Sequence, residues 1–161
     1  MDSKFTLLIP SQVGKLVLEF HGKQLQSLSI EQSYEQPLNS EIKGNSKLEK
    51  AIQKQLENYF TSAIPFKALS LSPQGTAFQK SVWSELSKIP LGETRTYGEI
   101  AKALKSSARA VGNACRRNPI AIIIPCHRVV SAKGLGGYAG ETSGRQLNIK
   151  RWLLNHEGVL L

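Results

Sequence analysis

Asn118-Pro119-Ile120-Ala121-Ile122-Ile123-Ile124-Pro125-Cys126-His127-Arg128-Val129-Val130 sets five consecutive apolar residues between two prolines and follows them with a thiol, an imidazole and a guanidinium. The apolar residues require burial. The prolines restrict the backbone on both sides, which predicts an extended, rigid segment that delivers Cys126 and His127 at a fixed point beside the core. A thiol held in this way becomes a nucleophile when positive charge or a basic imidazole favours its thiolate. Arg128 offers the first and His127 the second. Neighbours on an extended chain point to opposite sides, so a bridging water or a turn would have to join His127 to Cys126. The competing reading of Cys126 is an inert buried thiol, the commoner fate of cysteine; its Pro and His-Arg flanks favour the reactive one. Cys115 sits mid-helix among Ala and Arg and reads as inert.

Upstream of this run the period is helical. Thr76-Ala77-Phe78-Gln79 has the capping-box form, with Phe78, Val82, Trp83 and Leu86 as the expected inner stripe. Thr96-Tyr97-Gly98-Glu99 opens another helix, with Ile100, Ala101 and Leu104 inward. After a break at Lys105-Ser106-Ser107 a helix resumes over Ala108 to Arg117, with Ala110, Val111 and Ala114 inward and Arg109, Arg116 and Arg117 as its basic residues. Two short helices, a tight turn and a basic second helix make a helix-turn-helix candidate, although ordinary helix hairpins share the pattern. Downstream, Gly134, Gly136, Gly137, Gly140 and Gly144 surround Tyr138 in a loop where backbone could approach a ligand. A last helix is expected over Asn148 to Glu157, with Ile149, Trp152, Leu153 and His156 in register and Gly158 as its stop. Glu157 lies at its C-terminal end, where a negative charge opposes the helix dipole and therefore suggests a separate task.

The first third reads as strands: Phe5 to Ile9, Lys15 to Phe20 with Leu16, Leu18 and Phe20 on one side, and Lys23 to Ile30 after a His21-Gly22 turn. A capping box at Ser46-Lys47-Leu48-Glu49 then opens an amphipathic helix carrying Leu48, Ala51, Ile52, Gln55, Leu56, Tyr59 and Phe60, expected to cover the sheet. Residues 67–75 lack a period and suggest a connection between lobes, giving an N-terminal strand and helix lobe over 1–72 and a second lobe over 73–161.

The chain has 161 residues and a formal charge of +9. The excess is local: residues 1–75 sum to +1 and residues 76–161 to +8, the footprint of a polyanion partner. A 40% hydrophobic content excludes disorder. Two cysteines are too few for a disulfide scaffold or a thiolate metal site and fit a reducing compartment. No signal-peptide core or membrane-length apolar stretch is present, so a soluble, cytoplasmic protein is expected.

In its order of motifs the chain resembles the O6-alkylguanine-DNA alkyltransferases, the methylated-DNA-protein-cysteine methyltransferases. The decisive residues are Ile124-Pro125-Cys126-His127-Arg128-Val129. Supporting them are Gly75-Thr76-Ala77-Phe78-Gln79 with Val82-Trp83, Ile89-Pro90-Leu91-Gly92-Glu93-Thr94 with Tyr97, Ala108-Arg109-Ala110-Val111-Gly112, Asn118-Pro119, Gly137-Tyr138, and Trp152-Leu153-Leu154 through Glu157-Gly158. The resemblance is nearly continuous over residues 75–158. It implies an α/β (α+β) fold: an antiparallel sheet with a helix, like a ribonuclease H lobe, and then a mostly helical, winged-helix-like lobe holding the helix-turn-helix.

The resemblance also implies a single-use reaction. Cys126 would take the alkyl group from O6 of guanine in double-stranded DNA and keep it. His127 would remove the thiol proton through a water, Glu157 would orient the imidazole, Tyr97 would assist the departing guanine, and Asn118 would brace the turn. The base would be flipped into a pocket lined by Tyr97, Val129, Tyr138, Ala139 and Gly140, with Arg109 filling the gap from the minor groove. Ala110, Gly112, Thr96, Arg116 and Arg128 would complete the DNA contacts. O4-alkylthymine would be a minor substrate. No cofactor, metal, membrane or obligate protein partner is expected, and the protein would act as a monomer. Some relatives hold a structural zinc in the first lobe, but residues 1–75 contain no cysteine. The 141–146 connection is longer than in many relatives, which leaves pocket size open. A sensor that binds alkylated bases without reacting would not need Cys126, His127 and Glu157 together. A Cys-His hydrolase would explain neither the basic helix pair nor Arg109.

Overall fold

The computed structural model describes residues 4–32 and 47–160. They form two compact units: one runs to Gln74 and takes in Pro119–Ala121, and the other comprises Gly75–Asn118 with the chain from Ile122 onward.

The first unit begins with an antiparallel meander, β1 (Lys4–Ser11), β2 (Gly14–His21) and β3 (Gln24–Glu31), in that spatial order. β2 is central. Leu16, Leu18 and Phe20 alternate inward as expected, but Val17 is buried as well. Leu18 pairs with Leu7 on one side and Leu28 on the other, and Phe20 stacks on Phe5 with ring centroids 4.7 Å apart. α1 (Lys47–Ser62) buries Glu49, Ile52, Leu56, Tyr59 and Phe60. That is the anticipated helical stripe, rotated slightly, since Ala51 is exposed; the Ser46 cap lies outside the described residues. Beyond the helix, the Gln55 side chain accepts from the Lys67 N–H and donates to its carbonyl, both at 2.8 Å, which fixes the start of the connection.

The outer edge of β3 would expose unpaired backbone groups, and two short bridges satisfy them. Leu25 exchanges bonds with Ser70 and Ser72, while Leu28 donates to the Pro119 carbonyl and accepts from Ala121 N–H, each at 2.9 Å. A single cut between residues 72 and 73 misses this, because Pro119–Ala121 belong to the first unit.

The second unit holds α2 (Ala77–Leu86), β4 (Arg95–Thr96), α3 (Tyr97–Leu104), α4 (Ala108–Arg116), β5 (Val129–Val130) and α5 (Arg145–His156). Side chains cap three of these helices: Thr76 with a reciprocal Gln79, Thr96 and Ser107 each accept a backbone N–H at 3.1 Å. α3 and α4 are joined by Lys105–Ser107, with Lys105 in the left-handed region at φ 54°. Trp83 anchors the core, and its indole N–H donates to the Ala114 carbonyl at 2.9 Å, linking α2 to α4. Gly75 exists for this tryptophan, since a Cβ there would lie 2.5 Å from the indole. Phe78 departs from the expected stripe: at 38% exposure it faces out, leaving Val82, Trp83 and Leu86 inward. No helix among the described residues is long and apolar enough to cross a membrane.

The extended segment anticipated over residues 120–127 is also corrected. Only Ile120 bridges a strand. Residues 121–123 turn, with Ile122 at φ 71°, and Cys126–Arg128 form one 3-10 turn. Ile120, Ile122 and Ile124 are still buried, but by reversing direction rather than by lying in a sheet. Removing the α2 cap with Thr76→Ala is expected to lower stability by about 1 kcal/mol, and Trp83→Ala by about 3–5 kcal/mol, as read from urea denaturation midpoints.

Candidate active site

The 3-10 turn decides the site. Pro125 leads into it, the Cys126 N–H donates to the Ile124 carbonyl at 2.8 Å, and Arg128 N–H to the Pro125 carbonyl at 3.0 Å. Asn118 Nδ2 donates to the same Ile124 oxygen at 2.8 Å, bracing the turn from the end of α4. Burial pushes the Cys126 thiol up, opposed by its hydrogen bond to Asn118 and by the charge of Lys150. The sulfur is therefore held as a thiol and needs a base to become a nucleophile.

An imidazole stands next to it in sequence. His127 is fully buried, and its Nε2 lies 2.7 Å from Glu157 Oε2. Burial keeps the imidazole below its ordinary value, with Glu157 opposing, so the ring is neutral, Nε2–H donates to the carboxylate and Nδ1 carries the lone pair. Nδ1 has no protein partner, the sole such buried side-chain atom among the described residues. Burial alone would raise the Glu157 carboxyl, but the bonds from His127 and Arg128 outweigh it and hold the group well below the usual carboxylate range. Arg128 Nε donates to Glu157 Oε1 at 2.7 Å and Nη1 to the Ile89 carbonyl at 2.7 Å. The permanent guanidinium charge thus offsets the unfavourable position of Glu157 at the end of α5.

A cavity of about 200 Å³ opens onto Cys126. Its lining includes Tyr97, Gly112, Cys115, Arg116, Tyr138, Ala139 and Gly140. β4 pairs in parallel with β5, Arg95 with Val129 and Thr96 with Val130, and this sets Tyr97 at the first position of α3 beside the chain that follows Cys126. Tyr97 OH donates to the Gly137 carbonyl at 3.3 Å, and burial raises its hydroxyl above the ordinary phenol value, as do the neighbouring thiols. Gly136, at φ 75°, allows this approach, since a Cβ there would meet the Tyr97 ring at 3.1 Å. Tyr138 and Glu141 close the loop tip by exchanging backbone bonds of 2.8 and 2.9 Å.

Residues 77–159 match the family described as 6-O-methylguanine DNA methyltransferase, DNA binding domain. The chain is 53% identical over 117 residues to a Methanosarcina acetivorans methylated-DNA–protein-cysteine methyltransferase, covering 71% of this chain and 72% of that one. The chain belongs to the methylated-DNA–protein-cysteine methyltransferase family. The crystal structure of the Mycobacterium tuberculosis O6-methylguanine methyltransferase has a TM-score of 0.78 at 40% identity, over 96% of this chain and 93% of that chain. A crystal structure of Mycobacterium tuberculosis OGT in complex with DNA has a TM-score of 0.73 at 36% identity, over 96% and 91%. The methyltransferase class and the mixed α/β architecture expected from the motifs are those of the family.

Within this methyltransferase the structure brings together Cys126, His127, Glu157, Asn118 and Tyr97, with Tyr138, Ala139, Gly140 and Gly112 around the cavity. Three other residues have different places. Arg128, expected at the DNA surface, is only 7% exposed and turns both its bonds inward. Val129, whose backbone was expected to line the pocket, is fully buried in the β4–β5 pair and is not among the residues lining the cavity. Thr96 is occupied as the α3 cap and as the partner of Val130. Arg109 and Arg116 are exposed on α4, and Ala110 is half-buried there.

Lys150 was missed by the sequence reading. It is fully buried, and its Nζ donates to the Val129 carbonyl at 2.6 Å and the Gly137 carbonyl at 2.8 Å, tying the glycine loop to β5. Burial lowers it to about 8, while the thiols oppose the shift. α5 buries Ile149, Lys150, Leu153 and Leu154, whereas Trp152 and His156 stack on each other with centroids 4.7 Å apart. The available signal was spacing: Lys150 precedes Glu157 by seven residues, two helical turns, and so shares its face.

Both His127 and Glu157 titrate below their unfolded values, so the unfolded chain binds more protons and stability falls on acidification. The loss should begin below about pH 6.5 for the imidazole and steepen below about pH 4.3 for the carboxylate. Glu157→Gln should cost about 3–5 kcal/mol at neutral pH by stranding Arg128 and should remove the lower step, checked by urea midpoints across this range.

Proposed function

We propose that this protein repairs DNA by transferring the alkyl group of O6-alkylguanine, methyl above all, to Cys126 in one irreversible event. The orphan His127 Nδ1 carries this reading. It is a buried acceptor on a ring fixed from its other side by Glu157, which is the arrangement a bridging water to the adjacent thiol requires. The Cys126 proton passes through that water to Nδ1, and the imidazolium is stabilised by the Glu157 carboxylate. The sulfur attacks the alkyl carbon, the carbon–O6 bond breaks, and the electron pair leaves on guanine, where the Tyr97 hydroxyl donates a hydrogen bond. The product is a thioether. It has no easy leaving group, so the protein is spent.

An O6 substituent is unreachable inside stacked duplex, so the base must be extruded. Arg109, exposed on the first turn of α4, is suited to fill the vacated stack, with Ala110 and Gly112 small enough for backbone to approach the minor groove. Arg116 supplies phosphate contacts that depend on salt and not on sequence. O4-alkylthymine, with the same alkyl–oxygen bond, is proposed as a minor substrate. The protein acts as a cytoplasmic monomer, with residues 73–161 carrying binding and transfer and residues 1–72 supporting them.

Mixing the protein with a duplex holding one O6-methylguanine should add a single methyl to the peptide containing Cys126, measured by intact and peptide mass, and further duplex should add none. An unmodified Cys126 with the lesion intact would overturn the reading. Cys126→Ser should abolish transfer while duplex binding persists, and equal loss of both would make Cys126 structural. Arg109→Ala should slow repair of duplex far more than reaction with the free O6-alkylguanine base; equal slowing would remove base extrusion from the account of Arg109.

A further inference from the structure

Two thiols line the cavity. Cys115, on the last turn of α4, and Cys126, on the 3-10 turn, both face it, each 8% exposed and neither in a disulfide. Backbone bonds tie their segments together. Asn118 N–H donates to the Cys115 carbonyl at 3.1 Å, and the Asn118 side chain donates to the Ile124 oxygen that also accepts from Cys126 N–H. Burial raises both thiols, and a negative charge on Cys126 further opposes ionisation of Cys115. Cys115 therefore differs from an isolated buried cysteine, because its neighbour across the cavity is a thiol with a base at hand.

We propose that Cys115 is a resolving thiol that traps Cys126 as a reversible intramolecular disulfide when a peroxide reaches the cavity. The inference rests on Cys126 being the nucleophile that His127 activates. The Cys126 sulfur attacks one peroxide oxygen, the O–O bond breaks, and the departing oxygen takes up the proton released from the thiol, leaving water or an alcohol and a sulfenic acid on Cys126. The Cys115 sulfur then attacks the Cys126 sulfur, the S–OH bond breaks, and the hydroxyl leaves as water with the Cys115 proton. Two electrons pass from the two thiols to the peroxide, and two external thiols, or one dithiol, return them by exchange and leave as a disulfide. A single-use thiol is thereby set aside intact instead of advancing to the sulfinic and sulfonic acids, which thiols do not reverse.

The test is hydrogen peroxide on the full chain, followed by intact mass, non-reducing peptide mapping and alkyl transfer before and after dithiothreitol. The expected result is loss of two hydrogen atoms at monomer mass, a peptide joining Cys115 to Cys126, and transfer that is lost and then restored by dithiothreitol. For Cys115→Ser the same exposure should add oxygen to Cys126 and give several-fold lower recovery. Each protein is scored against its own unoxidised sample, which removes any effect of the substitution on the pocket. Oxygen addition to the wild type without the joined peptide would overturn the proposal. So would recovery of Cys115→Ser as complete as that of the wild type. If the reduced wild type transfers no alkyl group, the repair reading fails, while the joined peptide still reports on the pairing by itself.

Discussion

The site depends on one buried anion. Glu157 stands where the dipole of α5 opposes it and burial disfavours its charge, yet two short bonds, from Arg128 and His127, keep it ionised. Each partner has a reason to be there. Arg128 neutralises the carboxylate and reaches back to Ile89, so the 3-10 turn is fastened both to the last helix and to the segment after α2. His127 is set to a single tautomer, leaving its free lone pair on Nδ1. A buried pair of this kind adds little net stability, because desolvation cancels much of the attraction. What it supplies is a fixed geometry around an otherwise ordinary thiol.

Around this anion the cavity is held by one short strand pair and one buried side chain. The β4–β5 pair is only two residues long in each strand, yet it brings Tyr97 to the chain leaving the nucleophile. Lys150 performs the matching task from the other side by joining two carbonyls across the loop. Both devices hold a glycine-rich segment that would have little reason to adopt one shape by itself. The pocket is thus preorganised by three elements distant in sequence.

The β1–β3 meander, the helices and two of their caps were legible in the residues because they obey local rules: alternation in β2, hydroxyls at Thr76 and Thr96, and three-to-four spacing in α1. The roles of Cys126, His127 and Glu157 came from motif and resemblance, and the described geometry gathers them. Other features depend on partners far along the chain. An apolar run between prolines looks the same whether it lies in a sheet or folds into turns, so the reversal at Ile122 was invisible. Arg128 was placed among the DNA contacts, and its burial is explained by a carboxylate 29 positions away. Lys150 likewise depends on distant partners, the Val129 and Gly137 carbonyls.

Pro119–Ala121, which complete the edge of β3, have a consequence for how the chain reaches its native state. The first unit is not contiguous in sequence, because its last strand partners arrive only after α3 and α4 have been synthesised. A nascent chain that has emerged only to Gln74 can cover the Leu25 part of that edge but leaves the Leu28 part open, a template for pairing with other chains. Closing that edge requires a contact between residues about ninety positions apart, which carries a loop-closure cost that the local helices do not. The three-residue excursion thus sets a long-range step in folding, and ties completion of the sheet to arrival of the segment that also carries the nucleophile.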